Sequence, residues 1–272
     1  MIYGGIELGG TKIVYGIGGE NGLLERHSIP TTDPASTLKP IQNYFKEKEV
    51  QTLGIATFGP VDLTSGTITT TPKPGWSGVN LKEWFKDWDV VIDTDVNGAC
   101  LGEAVYGAGR GKQSIVYGTI GTGIGFGVYK DGKLFVAEGG HQLIQRHSDD
   151  YFISVCPYHS NCMEGLASGP AMQKRWGKPG VEVDDPKAWQ LEAYYLGQGI
   201  TNICMMYFPE VIILGGGVMH HEGLLEMVWE EVEKNINGYI AVPEIVLPEL
   251  GDNAGIIGAI ELGRRHQHIV EM

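Results

Sequence analysis

The chain has 272 residues, 41 of them glycine, with 33 acidic against 20 basic side chains and a formal net charge of −13. An apolar content of 42% supports a real core in one large domain or two small ones, and glycine at about twice its usual share marks a turn-rich folded protein. The acidic balance, with no long run of lysine or arginine, argues against nucleic acid as a partner; no run approaches the ~20 apolar residues of a membrane span, and the start reads as a strand with no leader pattern, so we expect no membrane association and a cytoplasmic location.

Apolar patterning predicts strands over 2–7, 13–17 and 23–29, then a helix over 38–48. A strand over 52–58 leads into Gly59-Pro60. The turn-rich stretch Thr71-Pro72-Lys73-Pro74-Gly75-Trp76 precedes a short helix over 81–86. Residues 90–94 read as a buried strand, 97–106 as a helix and 107–111 as a hinge. The second half opens with a strand over 115–120, passes through a His/Cys segment, and continues with helices over 170–176 and 186–207. A strand over 211–214 runs into Gly215-Gly216-Gly217, followed by a helix over 224–235, a strand over 245–247 and a closing helix over 254–265. This order predicts mixed sheets with helices on their faces. It also predicts two lobes, a smaller one of residues 1–110 joined by the C-terminal helix 252–266, and a larger one of residues 111–251.

One turn is written twice, as Glu7-Leu8-Gly9-Gly10-Thr11-Lys12 and as Gly118-Thr119-Ile120-Gly121-Thr122-Gly123, each between two apolar strand-like runs. A single copy would be an ordinary hairpin turn. Repetition in matching context implies a duplicated unit. Glycines let backbone N–H groups approach a phosphate without interference from Cβ, and threonine adds a hydroxyl donor. Neither copy fits the P-loop or Rossmann pattern.

Asp95, with Asn97 two residues on, sits where a strand ends and a helix begins, a usual place for a reacting group in an α/β fold. Taken alone it reads as a helix N-cap. Glu138-Gly139-Gly140-His141 and Glu164-Gly165-Leu166-Ala167-Ser168-Gly169-Pro170 add carboxylates and an imidazole at expected turns, groups suited to the hydroxyls of a sugar. Cys156 and Cys162, six residues apart, look more like a metal site than part of a secreted disulfide framework.

Together these segments, with Gly215 to Val218, resemble the ROK family of sugar kinases and repressors, within the hexokinase and actin-like superfamily. The resemblance runs over essentially the whole chain. It implies a two-lobed actin-like ATPase (ribonuclease H-like) fold with duplicated β-hairpin phosphate loops and an interlobe cleft. Carried over residue by residue, it makes Asp95 the general base. Gly9, Gly10, Thr11, Lys12, Thr122, Gly123, Pro170, Gly215, Gly216, Gly217 and Val218 become ATP contacts, and Asn80, Glu138, His141 and Glu164 become sugar contacts. His141, Cys156, His159 and Cys162 then form a candidate structural zinc site, since two imidazoles and two thiolates suit tetrahedral Zn²⁺ and leave no open position for water.

Two departures matter. Many members carry aspartate where this chain has Glu7, and asparagine where it has Thr94. Glu7 and the Cys-x-x-His-x-x-Cys form look like the fructokinase branch, so the resemblance implies transfer of the ATP γ-phosphoryl group to the 6-hydroxyl of fructose, with Mg²⁺ bridging phosphate oxygens, by a protein that resembles dimeric relatives. Alternatives within the family are a glucokinase, a mannokinase or an N-acetylhexosamine kinase. A sugar-sensing repressor is disfavoured because no helix-turn-helix segment precedes the first hairpin in this sequence, and a sugar-binding protein without catalysis is disfavoured by Asp95 and both turns.

Overall fold

The computed structural model describes residues 1–20, 22–71 and 73–270; Pro72, inside the expected turn at 71–76, lies outside the described residues. Two compact units emerge, one from Met1–Arg110 with the C-terminal segment from Leu250, the other from Gly111–Glu249.

The first unit is built on a sheet of β1 (Tyr3–Leu8), β2 (Lys12–Gly19), β3 (Gly22–Pro30), β4 (Thr52–Thr57) and β7 (Asp89–Thr94), in the order β3-β2-β1-β4-β7. β1, β2 and β3 form an antiparallel meander, whereas β4 and β7 join in parallel. A short ribbon of β5 (Val61–Asp62) and β6 (Thr67–Ile68) stands apart, a pairing too short to leave an alternating pattern. Helix α1 (Pro34–Glu47) starts earlier than expected because Asp33 caps it, accepting from the Ser36 N–H, with Pro34 preset for the first turn. Its buried stripe of Leu38, Ile41 and Phe45 packs with Ile6, Leu53 and Ile55 of the sheet.

On the other face lie α3 (Asp95–Tyr106) and α8 (Ala254–Val270), and glycine sets their closeness. A Cβ at Gly258 would lie 1.7 Å from the Gly98 carbonyl oxygen, and one at Gly54 would lie 1.8 Å from that of Ala259. Backbone therefore meets backbone, which leaves no room for a side chain. Buried Glu103 accepts from the Ala108 and Leu250 N–H groups at 2.8 Å each, fixing both points where the chain passes out of or into this unit.

The second unit repeats the plan. Its sheet runs β10-β9-β8-β11-β12, from β8 (Ser114–Ile120), β9 (Ile124–Lys130), β10 (Lys133–Ala137), β11 (Val211–Gly215) and β12 (Glu244–Val246). The first three are again an antiparallel meander and the last two again parallel, so the two sheets share one topology. Helices α5 (Gly169–Trp176), α6 (Pro186–Tyr207) and α7 (Leu224–Ile236) supply the packing. Val116, Phe126, Leu166, Met172, Leu196, Ile212 and Val228 meet in its core.

Candidate active site

In the first unit the end of β7 delivers Asp95 to the first position of α3. The N-cap is Thr94, whose hydroxyl accepts from the Asn97 N–H at 3.2 Å, so the reading of Asp95 as a cap is corrected. Thr94 thus has a local structural duty where many relatives carry asparagine. The Val96 N–H donates to Asp95 Oδ1 at 2.9 Å and orients the carboxylate. Beneath it, buried Asn97 donates to Asp93 Oδ1 at 2.7 Å, and burial raises the Asp93 pKa.

Glu7 is the penultimate residue of β1, just before the first glycine turn. Burial and the nearby Asp95 carboxylate push it up to about 7, and its Oε2 is buried without a partner among the described residues. Gly9 is half-buried, and Gly10, Thr11 and Lys12 are exposed on the turn; Lys12 reaches Asp252 at 3.8 Å, both exposed. Asn80 is the N-cap of α2 (Leu81–Trp84): it accepts from the Glu83 N–H at 3.0 Å and donates to Thr67 Oγ1 at 3.1 Å.

In the second unit a cavity of about 740 Å³ is lined by Thr122, Pro170, Gly217 and Val218 from the expected nucleotide set, together with Gln173, Val181, Trp189 and His221. Trp189 and His221 stack at 3.6 Å and 4°, and Trp189 is pinned by its Nε1–H to the Val183 carbonyl at 2.8 Å. Burial lowers the His221 pKa, which favours the neutral ring. None of the four added residues was legible in the sequence. Only their tertiary register, α5 and α6 against the segment after β11, brings them together. Gly215 ends β11, and Gly216 adopts φ +93 against Ile120, where a Cβ would lie 2.3 Å from the carbonyl oxygen. Gly123 sits beside Glu164, whose Oε2 would be 2.8 Å from its Cβ.

His141, Cys156, His159 and Cys162 converge, their ligand atoms all within 4.8 Å of one another. His141 Nδ1 lies 3.8 Å from Cys156 Sγ and 3.7 Å from Cys162 Sγ, and His159 Nδ1 lies 3.5 Å from Cys156 Sγ. Zn–S and Zn–N bonds of about 2.3 and 2.0 Å give tetrahedral N···S edges of about 3.5 Å, close to these three distances, so the donor set fits the ion. The other nitrogen of His141, Nε2, faces Glu164 Oε1 at 3.8 Å, while Glu164 Oε2 accepts from the Ile124 N–H at 2.9 Å. Glu164 belongs to the short helix α4 (Met163–Ala167), where a turn was expected; Cys162 caps it, accepting from the Gly165 N–H at 3.3 Å. Glu138 is exposed, just ahead of the 3-10 turn Gly139–His141.

Comparison with known proteins places the whole chain. The ROK family model matches residues 3–266. A fructokinase of Pediococcus pentosaceus is 42% identical over 284 residues, covering 97% of this chain and 98% of its own. A fructokinase of Zymomonas mobilis subsp. mobilis is 42% identical over 288 residues, covering 96% of each chain. Among solved structures, a ROK hexokinase from Thermus thermophilus superposes with a TM-score of 0.83 at 27% identity, over 99% of this chain and 100% of that one.

Proposed function

The chain belongs to the ROK family, and we infer from that membership that it transfers the γ-phosphoryl group of ATP to the 6-hydroxyl of D-fructose. It is a hexose kinase of the actin-like ATPase fold. The observation that carries the choice of fructose is the 42% identity to fructokinases across nearly the full length of both chains. Glucokinases are similar at 27%.

Phosphoryl transfer passes through a loose transition state, so the protein mainly aligns the reactants and stabilises spread charge. Asp95, held at the end of β7 by the Val96 N–H, accepts the proton of the attacking hydroxyl. Glu138, His141 and Glu164 bond the sugar hydroxyls, and Asn80 stands beside them in the family pattern. The neutral Trp189–His221 wall suits the face of a purine, with Thr122, Pro170, Gly217 and Val218 around the same cavity. The Gly9–Thr11 and Thr122–Gly123 turns offer N–H groups to phosphate oxygens.

Two metals belong to this reading. His141, Cys156, His159 and Cys162 would hold a structural Zn²⁺ that fixes the loop carrying His141. Mg²⁺, which keeps much of its water shell and so needs few direct protein ligands, would accompany the nucleotide and neutralise phosphate charge.

A coupled ADP-release screen across hexoses tests the substrate. Fructose should lead glucose and N-acetylhexosamines in kcat/KM; glucose leading by about tenfold, worth about 1.4 kcal/mol, would favour the glucokinase reading instead.

A further inference from the structure

Every carbonyl of the first glycine turn is held from the protein side. Thr31 Oγ1 donates to the Gly9 oxygen at 2.7 Å, Lys73 Nζ to the Gly10 oxygen at 2.6 Å and the Thr31 N–H to the Thr11 oxygen at 2.9 Å. The Gly9 N–H closes the turn on the Lys12 oxygen at 3.1 Å. The N–H groups of Gly10 and Thr11 have no acceptor among the described residues.

These two facts are linked by peptide geometry. A planar trans peptide aims its C=O and N–H to opposite sides. Holding the Gly9 oxygen inward therefore turns the Gly10 N–H outward, and holding the Gly10 oxygen does the same for the Thr11 N–H. Side-chain packing at Gly10 does not set these peptides. A Cβ at Gly10 would meet nothing within 4 Å, and two consecutive glycines leave the backbone free to rotate.

The two donors come from different places. Thr31 is buried just past the end of β3, and Lys73 reaches across 63 residues of sequence. Its ammonium rests on a neutral carbonyl with no carboxylate partner among the described residues, so its charge stays available beside the turn. The duplicated turn repeats the device with other parts: the Gly169 N–H holds the Gly121 oxygen at 2.8 Å and the Gly121 N–H holds the Gly123 oxygen at 2.9 Å. The Thr122 and Gly123 N–H groups are again without an acceptor among the described residues.

We propose that Thr31 and Lys73 are positioning residues for phosphoryl transfer, which lock the first turn with the Gly10 and Thr11 N–H groups facing outward as a receptor for the nucleotide's terminal phosphates. This rests on the reading of that turn as a phosphate loop. Neither residue belongs to a recognisable motif, because a donor to a distant carbonyl leaves no periodic trace in sequence.

The test uses the full chain with Lys73→Met, which keeps length but loses donor and charge, Lys73→Arg, which keeps both, and Thr31→Val, which removes one hydroxyl. Calorimetry should give roughly tenfold weaker ADP binding for Lys73→Met and Thr31→Val, the scale of one lost hydrogen bond. Adenosine and fructose binding should stay within about twofold, and Lys73→Arg should recover the ADP affinity. Unchanged ADP affinity in both donor-deleting variants overturns the proposal. So does an equal loss for adenosine and fructose with a lowered Tm, which would make both residues scaffold only. Loss in Lys73→Met with none in Thr31→Val overturns the pinning and leaves charge as the cause. Amide resonances separate these from failure of the underlying reading. If the Gly10 and Thr11 N–H signals of the unmodified chain do not move on adding AMPPNP, the turn is no phosphate site; if they move there and move equally in Lys73→Met, only the lock is wrong.

Discussion

Glu7 is one methylene longer than the aspartate many relatives carry, and the fold makes room for it at one glycine: a Cβ at Gly255 would lie 2.3 Å from Glu7 Cδ. Burial is the largest cause of its raised pKa, Asp95 and Asp252 add to it, and Lys12 and Arg26 oppose it, which leaves Glu7 at about 7 against an ordinary 4.5. Between those values the folded protein keeps a proton that the unfolded chain has released, so this residue's contribution makes stability fall as pH rises from 4.5 through 7, by at most about 1.4 kcal/mol per pH unit. Glu7→Gln should flatten that part of the profile. Urea melts of both proteins at pH 5 and pH 7 check it, and identical pH dependence would contradict it. At this scale the sequence was legible wherever chemistry is local: Asp95 at a strand end and the cysteine spacing both stand out. It was not legible where duty depends on a neighbour, which is why Thr94 takes the cap and why His221 needs Trp189 from another element to become a wall.

Elements with strong terminal signals were readable to the residue. Helix α6 starts at Pro186 after the Asp185 cap and ends at Tyr207, as its pattern predicts. Strand β10 and helix α4 were not foreseen. β10 is a five-residue, largely exposed strand whose Leu134-Phe135-Val136-Ala137 run is apolar without alternation, and α4 is a single turn containing a glycine. The segment between them carries the His/Cys cluster proposed to hold zinc, and its geometry sharpens what metal loss should do. His141 presents Nδ1 to the thiols and Nε2 to Glu164, so both side chains proposed to contact the sugar adjoin the same cluster. Zinc should co-purify at about one equivalent per chain. Chelation, or Cys162→Ser, should lower the Tm and raise the KM for fructose more than that for ATP. Elemental analysis followed by kinetics on metal-free protein checks both, and full fructose affinity without metal would remove the loop from the account.

For the whole molecule, the repeated turn pointed to duplication, and the two sheets carry it out with the same strand order and the same switch from antiparallel to parallel pairing. What that repeat could not specify is the chemistry placed on each copy. The first unit holds Asp95 and Glu7, whereas the second holds the 740 Å³ cavity and the His/Cys cluster. Proton acceptance is proposed for Asp95 alone, and steady-state ADP release with fructose, compared between the unmodified chain and Asp95→Asn, tests that assignment most directly. Asparagine keeps the size of the side chain, so the variant should fold, bind fructose with similar affinity and lose roughly 10²–10⁴ in kcat. Unchanged turnover in Asp95→Asn would contradict it.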